Sequence, residues 1–230
     1  MTFATIEHAL EQLRSGRPVL VLDDEDRENE GDAILAAELA SPQWVGWMVR
    51  HTSGYLCAPM EDTRADRLGL PLMWSANTDP LRTRYTVSVD AATSTTGISS
   101  VERAATTRAL ADPRTTSADL IRPGHVLPLR ARDGGVLTRR GHTEAAVDLT
   151  RLAGLQAVGL IGEIVHDDGT CARTPDVLAL GQAEGLDVIT IESLANWRRS
   201  HEEQPSTTTS GSSTTRVSPT VSAQLPTRHG

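Results

Sequence analysis

Short apolar runs alternate along this chain with stretches of helical spacing, and that alternation constrains the fold more than any other feature. Residues 19–22 read Val-Leu-Val-Leu and stop abruptly at Asp23, the mark of a buried strand. Residues 33–37 resume the apolar pattern, and residues 157–165 form a longer apolar strand interrupted by Glu163. Ile6, Ala9, Leu10 and Leu13 fall at helical spacing, with Gly16 as a stop. Ser41-Pro42 is a second helix start, serine as cap and proline in the first turn, for a helix running towards His51. Further strands are predicted over residues 55–58, 85–89, 126–131 and 188–191. Further helices are predicted over residues 101–111, 143–153, 175–183 and 192–199. Asp133-Gly134-Gly135 reads as a turn into a strand near residues 136–138, and Asp167-Asp168-Gly169 as another turn. Interleaved helices and strands, with several strand pairs joined by tight turns, predict an α+β fold. Its form is a three-layer α/β/α arrangement around a mixed twisted sheet.

The 230 residues are enough for one good-sized domain or two small ones. The expected division is a domain over residues 1–202 and a tail over residues 203–230. About half of residues 205–230 are Ser or Thr, too little apolar surface to offset ordering entropy, so the tail is expected to be disordered. Aromatics make up 3% of the chain, so the core must rest on Ala, Val, Leu and Ile. A net charge of −8 argues against a nucleic-acid partner, which calls for a basic face. No apolar run approaches the roughly 20 residues of a membrane span, so no membrane partner is expected. Glu7 and Glu11 sit where a signal peptide would be basic and then apolar, and a cytoplasmic location is expected. Cys57 and Cys171 are too few for a disulfide framework and lack zinc-ligand spacing. The chain has no lysine, which excludes Schiff-base catalysis and a Walker-type phosphate loop. Carbonyl chemistry here would need another way to stabilise negative charge, and a metal ion is the obvious one.

Four groups of residues could carry chemistry. Residues 23–32, Asp-Asp-Glu-Asp-Arg-Glu-Asn-Glu-Gly-Asp, begin directly at the end of a buried strand. Such a run can be a solvated charged loop. Its position favours a site, and Glu28 and Glu30 would face one side of an extended segment, offering the oxygens that Mg²⁺ selects. Residues 137–144 bring Arg139 and Arg140 through Gly141 to a helix start, where free N–H groups make an anion site. Arg139 and Thr143 could bind that anion and His142 could ligate a metal or act as a base. Equally, Thr143 could only cap the helix, with His142 on the surface. Glu163, inside its apolar strand, is either paired or protonated and suited to proton transfer, or lies on a wet face. Residues 122–125, Arg-Pro-Gly-His, read as a turn presenting His125. Cys57, by itself, reads as a small buried apolar residue.

Taken together, five segments resemble the 3,4-dihydroxy-2-butanone 4-phosphate synthases of riboflavin biosynthesis. They are DDEDRENEGD at residues 23–32, RHTSG at 50–54, RPGHVLPLRA at 122–131, GGVLTRRGHTEAAVDL at 134–149 and DDGTCAR at 167–173. The resemblance implies a homodimer that converts D-ribulose 5-phosphate to L-3,4-dihydroxybutan-2-one 4-phosphate and formate with Mg²⁺ (or Mn²⁺). It implies Glu28 and His142 as metal ligands, with Glu30 contributing. It implies Arg27, Glu28, Asp32, Arg139, Gly141, His142, Thr143 and Glu163 as substrate-binding positions. His125 and Glu163 match positions regarded as essential, and Asp23, Glu25 and Cys57 match other active-site positions. Cys171 stands where the family pattern leads one to expect Met, and Leu127 where it leads one to expect Phe; both are apolar replacements outside the ligand set. Some relatives carry a GTP cyclohydrolase II domain with a cysteine zinc site, and that second activity is not expected of these residues.

Overall fold

Among residues 3–202, which the computed structural model describes, seven strands form one mixed sheet in the order β4-β5-β3-β6-β2-β1-β7. The strands are β1 Val19–Leu22, β2 Gly31–Ala36, β3 Cys57–Met60, β4 Val89–Ala91, β5 Leu120–Arg130, β6 Gly159–Glu163 and β7 Val188–Thr190. The helices are α1 Ile6–Arg14, α2 Pro42–His51, α3 Asp62–Arg67, α4 Ser100–Ala111, α5 His142–Leu152, α6 Thr174–Glu184 and α7 Ile191–Glu202. Strands β1 and β7, and β3 and β5, run parallel; β1–β2, β2–β6, β3–β6 and β4–β5 run antiparallel. The expected disordered tail, residues 203–230, lies outside the described residues.

Strand alternation divides the apolar side chains between two cores, one on each face of the sheet. Leu20, Leu22, Ala33, Leu35, Ala58, Met60 and Leu160 join Val45, Met48, Ala104, Leu110 and Val177 from α2, α4 and α6. Val19, Val21, Ile34, Cys57 and Ile161 join Ile6, Leu13, Ala145, Leu149 and Leu194 from α1, α5 and α7. The central strands are therefore covered on both faces, which is why residues 19–22 are apolar at every position. This is the expected three-layer α/β/α fold. Ser41 caps α2 as its sequence suggests, its Oγ accepting from Trp44 N at 3.1 Å. No helix is long and apolar enough to cross a membrane among the described residues.

Three local expectations change. The second strand expected near residues 136–138 is a 3₁₀ turn over Gly135–Leu137, because the Val136 N–H donates to Asp148 Oδ2 (2.8 Å) instead of to a ladder. Residues 85–88 do not form one strand: Tyr85 and Thr86 bridge to Leu129 and Leu72, and the strand itself is confined to residues 89–91. Prolines at 71 and 128 leave these neighbours short of donors. Residues 122–125 are not a turn but part of β5. The ladder to β4 slips there, so that Val89 pairs with Val126 and Asp90 with Ile121. The β5 residues between them arch away as a bulge that re-aims His125.

Candidate active site

The hairpin between β1 and β2 carries the acidic loop. Asp23 leaves β1 and folds back inside it: Oδ1 accepts from Glu30 N (2.9 Å), and Oδ2 from Glu28 N (3.0 Å) and Arg27 Nη1 (2.9 Å). Three donors thus hold the loop as a ring around one fully buried carboxylate. Arg27 also bonds Glu28. Asn29 adopts φ +55°, and the loop is a series of turns rather than the extended segment expected for Glu28 and Glu30. From the residue that caps the start of α6, the Arg173 guanidinium donates to the carbonyls of Glu28 (3.1 Å) and Asn29.

Opposite the loop, α5 starts at His142. Its capping residue is Gly141, with no side-chain cap, so Thr143 does not cap the helix and His142 is not on the surface. The first N–H groups of α5 are therefore free for an anion. A Cβ at Gly141 would lie 2.3 Å from Arg139 Nη1 and 3.0 Å from Glu144 Oε2, so glycine makes room for the Arg139–Glu144 ion pair (2.6 Å). Arg139 also reaches Leu81 O (3.0 Å) and Thr83 Oγ1 (3.3 Å) on the opposite wall.

His142 is the electrostatic centre. Its Nε2 lies 3.1 Å from the Val21 carbonyl, which can only accept, so Nε2 carries the hydrogen. Its Nδ1 then faces Asp32 Oδ1 at 3.5 Å and Glu28 Oε2 at 3.6 Å. A lone pair aimed at two carboxylates is stable only with a positive charge between them, either a proton or a cation. Asp32 is buried and its Oδ1 has no hydrogen-bond partner. Burial pushes the Asp32 carboxyl up to about 7; His142 opposes that and Glu163 and Glu28 add to it. Burial resists charging of His142, but Asp32 and Glu28 outweigh it and push the imidazole up to about 9. Burial also acts against ionisation of Glu28, yet His142 and Arg27 hold its carboxyl below the usual range.

One cleft gathers Arg27, Glu28, Glu30, Asp32, Cys57, Arg139, His142, Thr143 and Glu163. Glu163 is not enclosed in its strand: it ends β6, half-buried, opposite Asp32 in the ladder, and accepts from Ser53 Oγ at 2.7 Å. Burial, then the nearby Glu163 and Asp32, raise the Cys57 thiol well above its usual range, so it is neutral at physiological pH. Of the other expected residues, Asp23 and Gly141 adjoin the cleft through Glu28 and His142 without lining it, and two stay apart from it. Glu25 is exposed at the hairpin tip. His125, four residues from Leu129 along β5 and thus roughly 13 Å from it, faces Asp90 instead. Thr83, Tyr85, Leu129 and Ile161 line the cleft without having been singled out in the sequence. For Tyr85, Leu129 and Ile161 the signal is cross-strand pairing, which a linear reading lacks. A larger open depression of about 740 Å³ lies between the start of α1, α6 and β7, but its charged groups are the His8–Asp187 pair alone.

The donors suit a hard divalent cation. Asp23, Glu28 and His142 each bring one ligand atom within 4.8 Å of the others. Asp23 already accepts three hydrogen bonds, whereas Glu28 and the His142 Nδ1 lone pair are available, with Asp32 Oδ1 unpartnered beside them. Carboxylate oxygens with one imidazole fit Mg²⁺ or Mn²⁺.

Comparison with known proteins gives a consistent result. Residues 7–197 match the family model described as 3,4-dihydroxy-2-butanone 4-phosphate synthase. The chain is 54% identical over 230 residues to the riboflavin biosynthesis protein RibBA of Salinispora arenicola. That match covers all of this chain and 52% of the relative. The RibBA of Mycobacterium tuberculosis is 50% identical over 229 residues, 98% of this chain and 51% of the relative. The chain thus spans about half the length of the curated relatives it matches. A crystal structure of a 3,4-dihydroxy-2-butanone 4-phosphate synthase in complex with two magnesium ions superposes with a TM-score of 0.82 at 44% identity. It covers 87% of this chain and 99% of that one. The synthase of Candida albicans gives 0.80 at 47% identity, over 86% and 99%.

Proposed function

Because the chain belongs to the 3,4-dihydroxy-2-butanone 4-phosphate synthase family, we propose that it converts D-ribulose 5-phosphate to L-3,4-dihydroxybutan-2-one 4-phosphate and formate, with Mg²⁺ (or Mn²⁺) as its cation. The observation that carries this reading is the His142 Nδ1 lone pair facing Glu28 and the unpartnered Asp32 Oδ1. Glu28 and His142 would hold the cation, with Glu30 beside them on the cleft wall. When bound there, the cation supplies Lewis-acid stabilisation of the developing enediolate charge.

The chain's own residues do the rest. The free N–H groups at the start of α5, with Arg139 and Thr143, bind the phosphate. Arg27 and Asp32 orient the sugar hydroxyls. A carboxylate takes the proton from C3 to give an enediol, and Glu163, open to the cleft and oriented by Ser53, is assigned proton transfer. The neutral Cys57 thiol lines the cleft and is not a nucleophile at physiological pH. Water leaves from C1, the skeleton shifts, and hydration returns the water as C4 departs in formate, so the reaction balances without a further reactant. The absence of lysine agrees with charge stabilisation by this route rather than through an imine.

The reading includes a cytoplasmic homodimer in which each copy offers His125 to the other. Two observations support it. His125 stands outside its own cleft, and Ile98 before α4, Val101 on α4 and Ile121 on β5 are exposed apolar side chains. The test is to incubate the purified protein with ribulose 5-phosphate and Mg²⁺, with and without EDTA. Formate released in a metal-dependent way is expected; none under any metal condition refutes the assignment.

A further inference from the structure

Arg140 stands last before Gly141, the residue that caps α5. The other arginines of this region are committed. Arg27 meets Asp23 at 2.9 Å and also Glu28. Arg139 meets Glu144 at 2.6 Å and donates to Leu81 O and Thr83 Oγ1. Arg140 is different. Its side chain is 38% exposed, and its one ion-pair partner among the described residues is Asp24, with Nη1 3.7 Å from Oδ2. That separation exceeds hydrogen-bond length, so the guanidinium is attracted to Asp24 without being bonded to it.

The pair joins the two walls of the cleft, the acidic loop and the approach to α5. Arg27 and Glu28 on one wall and Arg139 and His142 on the other line the cleft, whereas Asp24 and Arg140 do not, which sets the pair beside it. Asp24 is fixed through its backbone: its carbonyl accepts from Arg27 N (3.0 Å) and Asn29 N (3.3 Å). Its carboxylate, 43% exposed, is left to Arg140. Every side chain of residues 23–32 other than Arg27, Asn29 and Gly31 carries a carboxylate, and the chain has a net charge of −8. A phosphate dianion drawn to the free N–H groups of α5 is opposed by that field. A guanidinium next to those N–H groups offsets it. The dianion also competes for the guanidinium better than Asp24 does, because it carries more charge and can take two N–H groups at once.

We propose that Asp24 and Arg140 form an ion-pair latch between the two walls, in which Asp24 holds the Arg140 guanidinium until the phosphate dianion of the substrate takes it over. The proposal rests on reading the cleft as a ketose-phosphate site. Asp24 is then an internal competitor of the substrate: it touches no reacting atom and sets affinity by how firmly it retains Arg140. A ketose without the phosphate leaves the latch closed, so the pair selects for the charge that the acidic loop alone repels.

A double-variant cycle with ribulose 5-phosphate as substrate tests the latch. Both side chains are exposed enough that each variant should keep its Tm within about 2 °C. Asp24→Asn frees Arg140 and should lower KM roughly two- to fivefold, the worth of a half-exposed ion pair, with kcat within about twofold. Arg140→Gln should raise KM about 10-fold, the worth of one charge-assisted hydrogen bond. With Arg140→Gln already in place, Asp24→Asn should change KM by less than about 1.5-fold. An equal fall in KM in both backgrounds means that Asp24 only repels the phosphate, and overturns the latch. A D24N enzyme whose KM is unchanged or higher overturns it too. Calorimetry with inorganic phosphate reads the same exchange without turnover: D24N should bind it roughly two- to fivefold tighter than the unaltered protein, and equal affinity overturns the latch. An unaltered protein that releases no formate instead overturns the reading of the cleft, while phosphate binding still reports on the latch, so the two failures are distinguishable.

Discussion

Mg²⁺ binding should expel a proton from His142, and the number expelled follows from the site. The ligand atom is Nδ1, since Nε2 is committed to the Val21 carbonyl. Without a cation, Asp32 and Glu28 hold a proton on that nitrogen up to about pH 9. A group titrating near 9 is about nine-tenths protonated at pH 8, so binding there should release about 0.9 proton. At pH 9 the imidazole is half protonated and at pH 7 it is almost fully so, and the competition between those values costs about 2.3 kcal/mol, or roughly fiftyfold in Kd. Below pH 7 the slope steepens, because Asp32, which titrates near 7, must also ionise beside the cation. Calorimetry at pH 8 in two buffers of different ionisation enthalpy counts the protons directly, and titrations at pH 7, 8 and 9 give the slope. A Kd that is flat over this range, or fewer than about 0.2 protons released at pH 8, refutes the reasoning.

Three other perturbations bear on the same cleft. In EDTA, Asp32→Asn should raise the Tm at pH 8 by a few degrees and abolish activity. The folded-state carboxyl titrates near 7 rather than near 4, so its ionisation costs stability that grows as pH rises between those values. At pH 4 the Tm difference should vanish, and a difference that persists there counts against this account. Gly141→Ala places a methyl against Arg139 and should raise KM for ribulose 5-phosphate by about 10-fold or more, the value of one charge-assisted hydrogen bond, with Mg²⁺ affinity unchanged. Arg173→Ala removes the brace on the Glu28 and Asn29 carbonyls; calorimetry should show Mg²⁺ affinity roughly 10- to 100-fold weaker, with Tm nearly unaltered.

Signals local to a few residues were legible in the sequence. The bounds of α1 and β1, the Ser41 cap and the pairing of the acidic loop with the start of α5 all follow from spacing, capping chemistry and motif. What the sequence hides depends on partners far along the chain. Asp23 looks like one more acidic residue, yet three donors within its own loop make it the loop's internal brace. Glu163 looks buried in an apolar strand, yet it is that strand's last residue and Ser53, 110 positions away, meets it. Asp90 and His125 are 35 residues apart and are joined by a bulge that no periodicity announces. Tyr85 reads as part of a strand, whereas its bridge to Leu129 sets it on the cleft wall.

The ladder across the middle of the sheet couples chemistry to folding in a further way. Val21 pairs with Asp32, and Asp32 pairs with Glu163, so the carbonyl that sets the His142 tautomer and two of the cleft carboxylates occupy one rung. A slip of β2 by one residue would rotate Asp32 out of the cleft, and it would also exchange Ile34 and Leu35 between the two cores. Misaligned chains are therefore penalised by packing before they can present a wrongly assembled site. The loop that joins β1 to β2 is held in length by the hydrogen bonds to Asp23, and the two strands cannot gain or lose a residue. The apolar layers act as a proofreading device for the polar rung between them.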